Sequence, residues 1–124
     1  MLKLATLLLL VVPAVASADV ELDGTAATSH DCGADPVLNI IGAGTFTVTG
    51  ACKQVNLNAG KATVTVADVE ELNINGADNK VTAGAVGAVN INGAKNKVTW
   101  KQAKKGKKPA VSSNGKGNGV AKAK

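Results

Sequence analysis

Residues 72–99 read LNINGADNKVTAGAVGAVNINGAKNKVT, and this stretch decides the fold because it holds a seventeen-residue unit and most of its next copy. Over the first eleven positions, the two copies differ only where Leu72 becomes Val89 and Asp78 becomes Lys95. A fixed period of this kind is the sequence signature of a repeat architecture. The domain is therefore expected to consist of stacked units.

The same frame extends to both sides of this stretch. Residues 55–58 (VNLN) begin an earlier copy, and residues 38–42 (LNIIG) fit the frame once more. Phe46 and Val48 lie one position off the pattern, which predicts a bulge in that copy. Residues 111–120 resemble a fifth copy that follows a five-residue insertion.

Within each copy, apolar and polar residues alternate. Val64 and Val66 point to one side, whereas Thr63 and Thr65 point to the other. A period of two indicates half-buried β-strands. The Gly- and Asn-rich stretches between strands supply residues that tolerate positive φ, so each copy is expected to turn there. A further corner is marked by three residues in register: Cys52, Val69 and Val86.

A unit of this size cannot bury its apolar side alone, so the copies must stack. The sequence predicts an all-β fold, a parallel β-solenoid of about five short coils, with Val55, Leu72 and Val89 stacked inside. Neighbouring coils would lie about 4.8 Å apart, and five coils would form a rod about 24 Å long. The alternative is an antiparallel β meander or sandwich, in which like residues would not stack.

Two columns of asparagine are expected on the outside of this rod. Their members are Asn39, Asn56, Asn73 and Asn90 in one column and Asn58, Asn75 and Asn92 in the other. Stacked side-chain amides hydrogen-bond along the stack, so a structural role explains both columns. The functional alternative is a flat face that orders water, as in ice-binding solenoids with Thr-x-Thr columns. Lys80 and Lys97 interrupt the threonine column, which favours the structural interpretation.

The N-terminus resembles a secretory signal. Lys3 gives a positive start, residues 4–12 are apolar, Pro13 follows, and Ala16 and Ala18 fit a cleavage site before Asp19. About nine apolar residues are too few to cross a bilayer, which needs roughly twenty, so a membrane anchor is the less favoured alternative. We expect a signal peptide at 1–18 and a secreted, periplasmic or cell-envelope product without a transmembrane span.

The remaining chain is divided by its pattern into an N-terminal cap segment at 19–37, a β-repeat domain at 38–120 and a flexible C-terminus at 121–124. Cys32 and Cys52 are the only cysteines. In an oxidising compartment they are expected to form a disulfide, with a stabilisation of roughly 3 kcal/mol for a loop of this length. A pair of buried free thiols is the alternative. A metal site is disfavoured, because His30 is the single histidine.

Charge is unevenly distributed. Residues 19–100 hold nine acids and five lysines, a net charge of −4, whereas residues 101–124 hold eight lysines and no acid, a net charge of +8. The insertion at 101–108 concentrates five lysines: Lys101, Lys104, Lys105, Lys107 and Lys108. Flexible cations of this kind attract anionic envelope polymers or lipid headgroups, and the alternative is a solvated linker. Arginine is absent, so a dedicated nucleic-acid reader is not expected.

Catalytic groups are scarce. His30 lies beside Asp31 and Asp35 outside the repeats, and no general acid/base pair can be nominated. We predict no catalytic residue, no cofactor and no enzymatic activity, with a polysaccharide-acting solenoid enzyme as the disfavoured contrast. The expected function is a structural or interaction role at the cell envelope, with anionic-surface binding as the alternative.

Several motifs occur together in this chain: GAC at 50–52, GADNKV at 76–81, GAKNKVTW at 93–100 and GKGNGV at 115–120. With the signal peptide and Cys32, they resemble the bacterial secreted family called domain of unknown function 3060, over roughly residues 32–120. The resemblance implies export and a β-repeat fold, and it implies no activity. The chain departs from the family pattern in its lysine-rich insertion.

Overall fold

A computed structural model of the chain describes residues 20–23, 28–33 and 35–123. The predicted signal peptide at 1–18 lies outside these residues. The described part contains strands and no helix. The strands are β1 (Val20–Leu22), β2 (Ser29–Asp31), β3 (Val37–Ile40), β4 (Gly44–Asn58), β5 (Ala62–Ala77), β6 (Lys80–Ala94), β7 (Lys97–Ala103), β8 (Ala110–Asn114) and β9 (Gly119–Lys122).

Every strand pairing in the described residues is parallel, and the register follows the repeat. Leu72 pairs with Val89 and Thr65 with Thr82, each seventeen residues apart. The chain therefore winds into a parallel β-solenoid of about five turns, which confirms the predicted fold. The antiparallel meander is wrong, because like residues lie directly above one another.

Two faces of the solenoid carry six strand segments each. The face that we call the asparagine face is formed by residues 20–22, 37–40, 55–58, 72–75, 89–92 and 110–114. The face that we call the threonine face is formed by residues 29–31, 45–49, 63–66, 80–83, 97–100 and 119–122. A coil thus already precedes residue 38, and β9 extends through Lys122, so the coils continue beyond 38–120 on both sides.

The irregular copies behave as predicted. Phe46 pairs with Val64 at an offset of eighteen, the register shifts between Val48 and Ala51, and the offset is seventeen from Ala51 onward. This is the predicted bulge. Downstream, Val111 pairs with Val89, so the copy after the insertion is a true coil of the solenoid.

The core is a set of stacked apolar columns. Val55, Leu72 and Val89 are fully buried in one column. Along both faces, inward residues recur with a period of two. Val66, Val69 and Leu72 are all buried but lie three positions apart, which breaks this period. A short third side of the coil therefore joins the two faces there. Burial of each such aliphatic side chain contributes about 1.5–3 kcal/mol to the free energy of unfolding. Stacking is required for this burial, because each coil covers the apolar side chains of its neighbours.

A third asparagine column, inside the solenoid, was not predicted. Asn79 and Asn96 are only 1% and 0% exposed. The Oδ1 atom of Asn96 accepts hydrogen bonds from the main-chain N of Asn79 at 3.1 Å and from its Nδ2 atom at 3.0 Å. The Nδ2 atom of Asn96 donates to the main-chain O of Gly76 at 2.9 Å and to Oδ1 of Asn118 at 3.1 Å. These side chains lie at the turn between the asparagine and threonine faces and join each turn to the next.

The same turns require unusual backbone geometry. Asp78 and Lys95 have φ values of 60° and 56°, a region that L-residues other than Asn and Asp rarely enter. At Gly93, φ is 142°, and a Cβ atom would lie 1.7 Å from the main-chain O of Gly76. Glycine therefore permits the close approach of one turn to the next, while the buried asparagine satisfies the main-chain groups that the turn leaves unpaired.

The two cysteines are joined by a disulfide. Cys32, directly after β2, is bonded to Cys52 in β4, with the Cα atoms 5.0 Å apart. Both residues are buried. The bond ties the first coil to the second where the bulge disturbs the regular pairing.

We expect Asn96→Ala to lower the free energy of unfolding by about 3 kcal/mol, because several buried main-chain and side-chain groups lose their partner at about 1–3 kcal/mol each. Urea unfolding, followed by the fluorescence of the single tryptophan, measures this loss. Asn92→Ala is the matched control, since Asn92 belongs to an exposed column where water replaces the amide. Equal losses in the two variants would contradict a special role for the buried column.

Replacement of both Cys32 and Cys52 by alanine should lower the free energy of unfolding by roughly 3 kcal/mol, since the bond closes a loop of about twenty residues. A reducing agent should destabilise the wild-type protein by a similar amount and leave the double variant unchanged. A reducing agent that shifts both urea curves equally would show that the effect does not come from this bond.

Candidate interaction surface

The five lysines of the predicted insertion lie at one corner of the rod. Lys101 is in β7, and Lys104, Lys105, Lys107 and Lys108 are in the loop from β7 to β8. All five are exposed. The loop begins in register with the coil below it, because the main-chain N of Lys104 donates to the main-chain O of Val86 at 3.0 Å. The insertion is therefore attached to the third side of the solenoid at its start.

One of these lysines has an acidic partner. The Nζ atom of Lys104 forms an ion pair with Oδ1 of Asp68, and both side chains are about one third exposed. The pair joins β5 to the loop after β7 across the intervening strand β6. The ammonium of Lys104 is thus less available to a ligand than the other four.

A shallow cleft of about 230 Å³ lies beside this ion pair. It is lined by Glu70, Gly87, Ala88, Lys104 and Lys105. The lining therefore includes one carboxylate and two ammonium groups. The cleft is small, so it can admit only part of a larger molecule.

Acidic and basic residues are separated along the rod axis. A boundary at residue 80 separates them more completely than the boundary at residue 100 that was drawn from the sequence. In the described residues up to 79 there are eight acids and two lysines, and from 80 onward there are ten lysines and no acid. The net charges are 2 − 8 = −6 and +10. Because each coil lies beyond the last, this order in the sequence becomes an acidic half and a basic half of one rod.

Five lysines of the basic half were not among the predicted contacts. They are Lys80, Lys95, Lys97, Lys116 and Lys122, and all are exposed. In the sequence, Lys80 and Lys97 stand out only as interruptions of a threonine column. The available signal is the absence of acids after Asp78, which leaves Lys95, Lys97, Lys116 and Lys122 without opposite charges nearby in the sequence.

The asparagine columns on the asparagine face are real and are paired with one another. The Nδ2 atom of Asn73 donates to Oδ1 of Asn56 at 2.9 Å, and Nδ2 of Asn90 donates to Oδ1 of Asn73 at 2.8 Å. The more exposed column continues in the same way from Asn58 to Asn114. The amide groups of this face are therefore largely used within the protein.

The candidate acid/base residues do not form a reactive set. The Nε2 atom of His30 lies 3.0 Å from the main-chain O of Asp35, and Oδ1 of Asp31 accepts from the main-chain N of Gly33 at 2.8 Å. Within the described residues, no group of three or more His, Cys, Asp or Glu side chains could hold a metal ion. The described residues also include no helix that is long and apolar enough to cross a membrane.

Comparison with known proteins gives one family. A family model described as "Protein of unknown function (DUF3060)" matches residues 40–85 and again residues 58–117. The two overlapping matches begin about one repeat apart and together cover more than half of the chain. No curated protein and no solved structure matches. On the strength of the family match, the chain belongs to the DUF3060 family of proteins of unknown function.

Proposed function

We propose that this protein is exported and serves as a non-enzymatic interaction protein of the cell envelope, where the basic half of its rod binds anionic polymers. The observation that carries the proposal is the separation of charge along the axis, with ten lysines and no acid in the described residues from 80 onward. A surface of one sign attracts ligands of the other and raises their local concentration.

The lysine-rich insertion is the first contact that we assign to the polymer. Lys101, Lys105, Lys107 and Lys108 are exposed, and no acidic partner is found for them among the described residues. Lysine is a flexible point charge without the planar fork of arginine, so it suits a repetitive anion rather than one defined phosphate or carboxylate. Binding of this type weakens as salt is added, because exposed charges are screened beyond about 10 Å at 0.1 M ionic strength.

Export is supported by the pattern of residues 1–18 and by the disulfide. Disulfides form and persist in oxidising compartments such as the periplasm and the cell exterior.

An enzyme that acts on polysaccharides is the contrasting class, and it receives no positive support. The ring nitrogen of His30 is directed to a main-chain carbonyl, and Asp68 is paired with Lys104. Absence of activity stays a prediction.

The test uses the chain from residue 19 to 124 and immobilised polyglutamate as the anionic polymer, at low and at high salt. We expect wild-type binding at low salt only. The variant K107Q/K108Q should bind about tenfold more weakly, if each exposed contact contributes about 0.7 kcal/mol. The control variant K53Q/K61Q removes the same charge from the acidic half and should bind like the wild type.

Two results would contradict the proposal. One is failure of the wild-type protein to bind polyglutamate or polyphosphate at low salt. The other is an equal loss in the two double variants, which would show that net charge alone is responsible and that the basic half has no separate role.

A further inference from the structure

The threonine face differs from the asparagine face in one respect that bears on ligands. Its outward hydroxyls at Thr63, Thr65, Thr82 and Thr99 form no hydrogen bond with another described residue, whereas the asparagine amides are paired along their columns. Three of these four threonines are exposed, and Thr99 is partly exposed. The polar groups of this face therefore remain available to an external partner.

Lysines lie on the same face in its basic half. Lys80 and Lys97 pair with each other in neighbouring coils, beside the paired Thr82 and Thr99. Lys101 follows two residues after Thr99 in β7 and points outward from its edge. The row of hydroxyls is thus bordered by Lys80 and Lys97 on one side and by Lys101, at the corner, on the other.

The spacing of these groups is regular. Neighbouring coils lie about 4.8 Å apart, and outward residues within one strand lie about 6.6 Å apart. Lys97 and Thr99 therefore lie about 6.6 Å apart on one strand, and Lys101 follows at the corner where the third side begins. A rigid grid of this size can contact consecutive units of a linear polymer, and it loses little side-chain entropy at the β-branched threonines.

We propose that the basic half of the threonine face, with Lys80, Thr82, Lys97 and Thr99 at its centre, is a docking surface for a linear polymer that carries both anionic groups and hydroxyls. The ammonium groups bind the anions, and the threonine hydroxyls exchange hydrogen bonds with the hydroxyls of the polymer. The inference rests on the proposed function and specifies its ligand. Uronate polysaccharides and polyol phosphates share this chemistry.

The hydroxyl contribution separates this inference from simple charge attraction. We expect T82V/T99V to bind alginate and poly(glycerol phosphate) about fivefold more weakly and to bind polyglutamate, which lacks hydroxyls, with unchanged affinity. Valine keeps the β-branched shape and the strand preference. The matched control is T45V/T47V, which makes the same change on the same face in the acidic half, one coil further from Thr82, and should leave all three affinities unchanged.

The charge contribution is tested by K80Q/K97Q, with K53Q/K61Q as the control for net charge. We expect K80Q/K97Q to bind every polyanion about tenfold more weakly. Alginate supplies carboxylates and poly(glycerol phosphate) supplies phosphates, so their relative affinities identify the preferred anion. Circular dichroism and urea unfolding verify that each variant keeps the fold.

The inference is overturned if the wild-type protein binds the polymers and K107Q/K108Q weakens that binding, while T82V/T99V and K80Q/K97Q behave like their controls. The proposed function would then stand with the insertion as its site. If T82V/T99V weakens polyglutamate as much as alginate, the hydroxyl-specific inference is likewise wrong. Failure of the wild-type protein to bind any of the polymers would instead overturn the proposed function itself.

Discussion

The structure depends on the requirement that the inward main-chain groups of a turn find hydrogen-bond partners in the neighbouring turns. Strand pairing satisfies the flat faces, but the turn between them points its N–H and C=O groups toward the interior, where water is absent. Asn79 and Asn96 occupy that position and bond to the main chain of the neighbouring turn and to the next side chain in the column. Because each amide joins two turns, each copy must return its asparagine to the same place in the coil. The seventeen-residue period does this, and the insertion at 101–108 leaves the column intact because Asn118 still bonds to Asn96.

The fold was largely predictable because the period, the alternation and the corner residues all indicate one architecture. The disulfide could also be predicted, from Cys32 and Cys52 being the only candidates. The buried column could not be distinguished, since an asparagine beside a glycine is equally typical of an exposed turn. Only the stacking of Asn79 on Asn96 shows that this position faces inward.

The interaction surface was predictable in part. The lysines of 101–108 are adjacent in the sequence, so their concentration is visible there, whereas Lys80 and Lys97 become neighbours only through strand pairing. The ion pair of Lys104 with Asp68 joins residues thirty-six positions apart and depends on the insertion returning to the third side. A structural column and a binding column look alike in sequence. They differ in whether their polar groups are paired within the protein, which separates the asparagine face from the threonine face.

A rod with one acidic half and one basic half should attract its own copies end to end, and parallel edges offer further pairing. The column of inward residues that includes Val48 and Trp100 would continue across such a junction. The residues at its two ends argue against end-to-end stacking. His30 pairs with Val48 at one end of this inward column, and Lys122 pairs with Trp100 at the other. Lys122 places its ammonium 5.8 Å from the centre of the tryptophan ring and so covers the last apolar layer with a charge. End-to-end stacking would bury that ammonium against an imidazole, at a cost that strand pairing alone does not offset. This layer disfavours end-to-end stacking, which supports the proposal that the basic half binds an anionic partner.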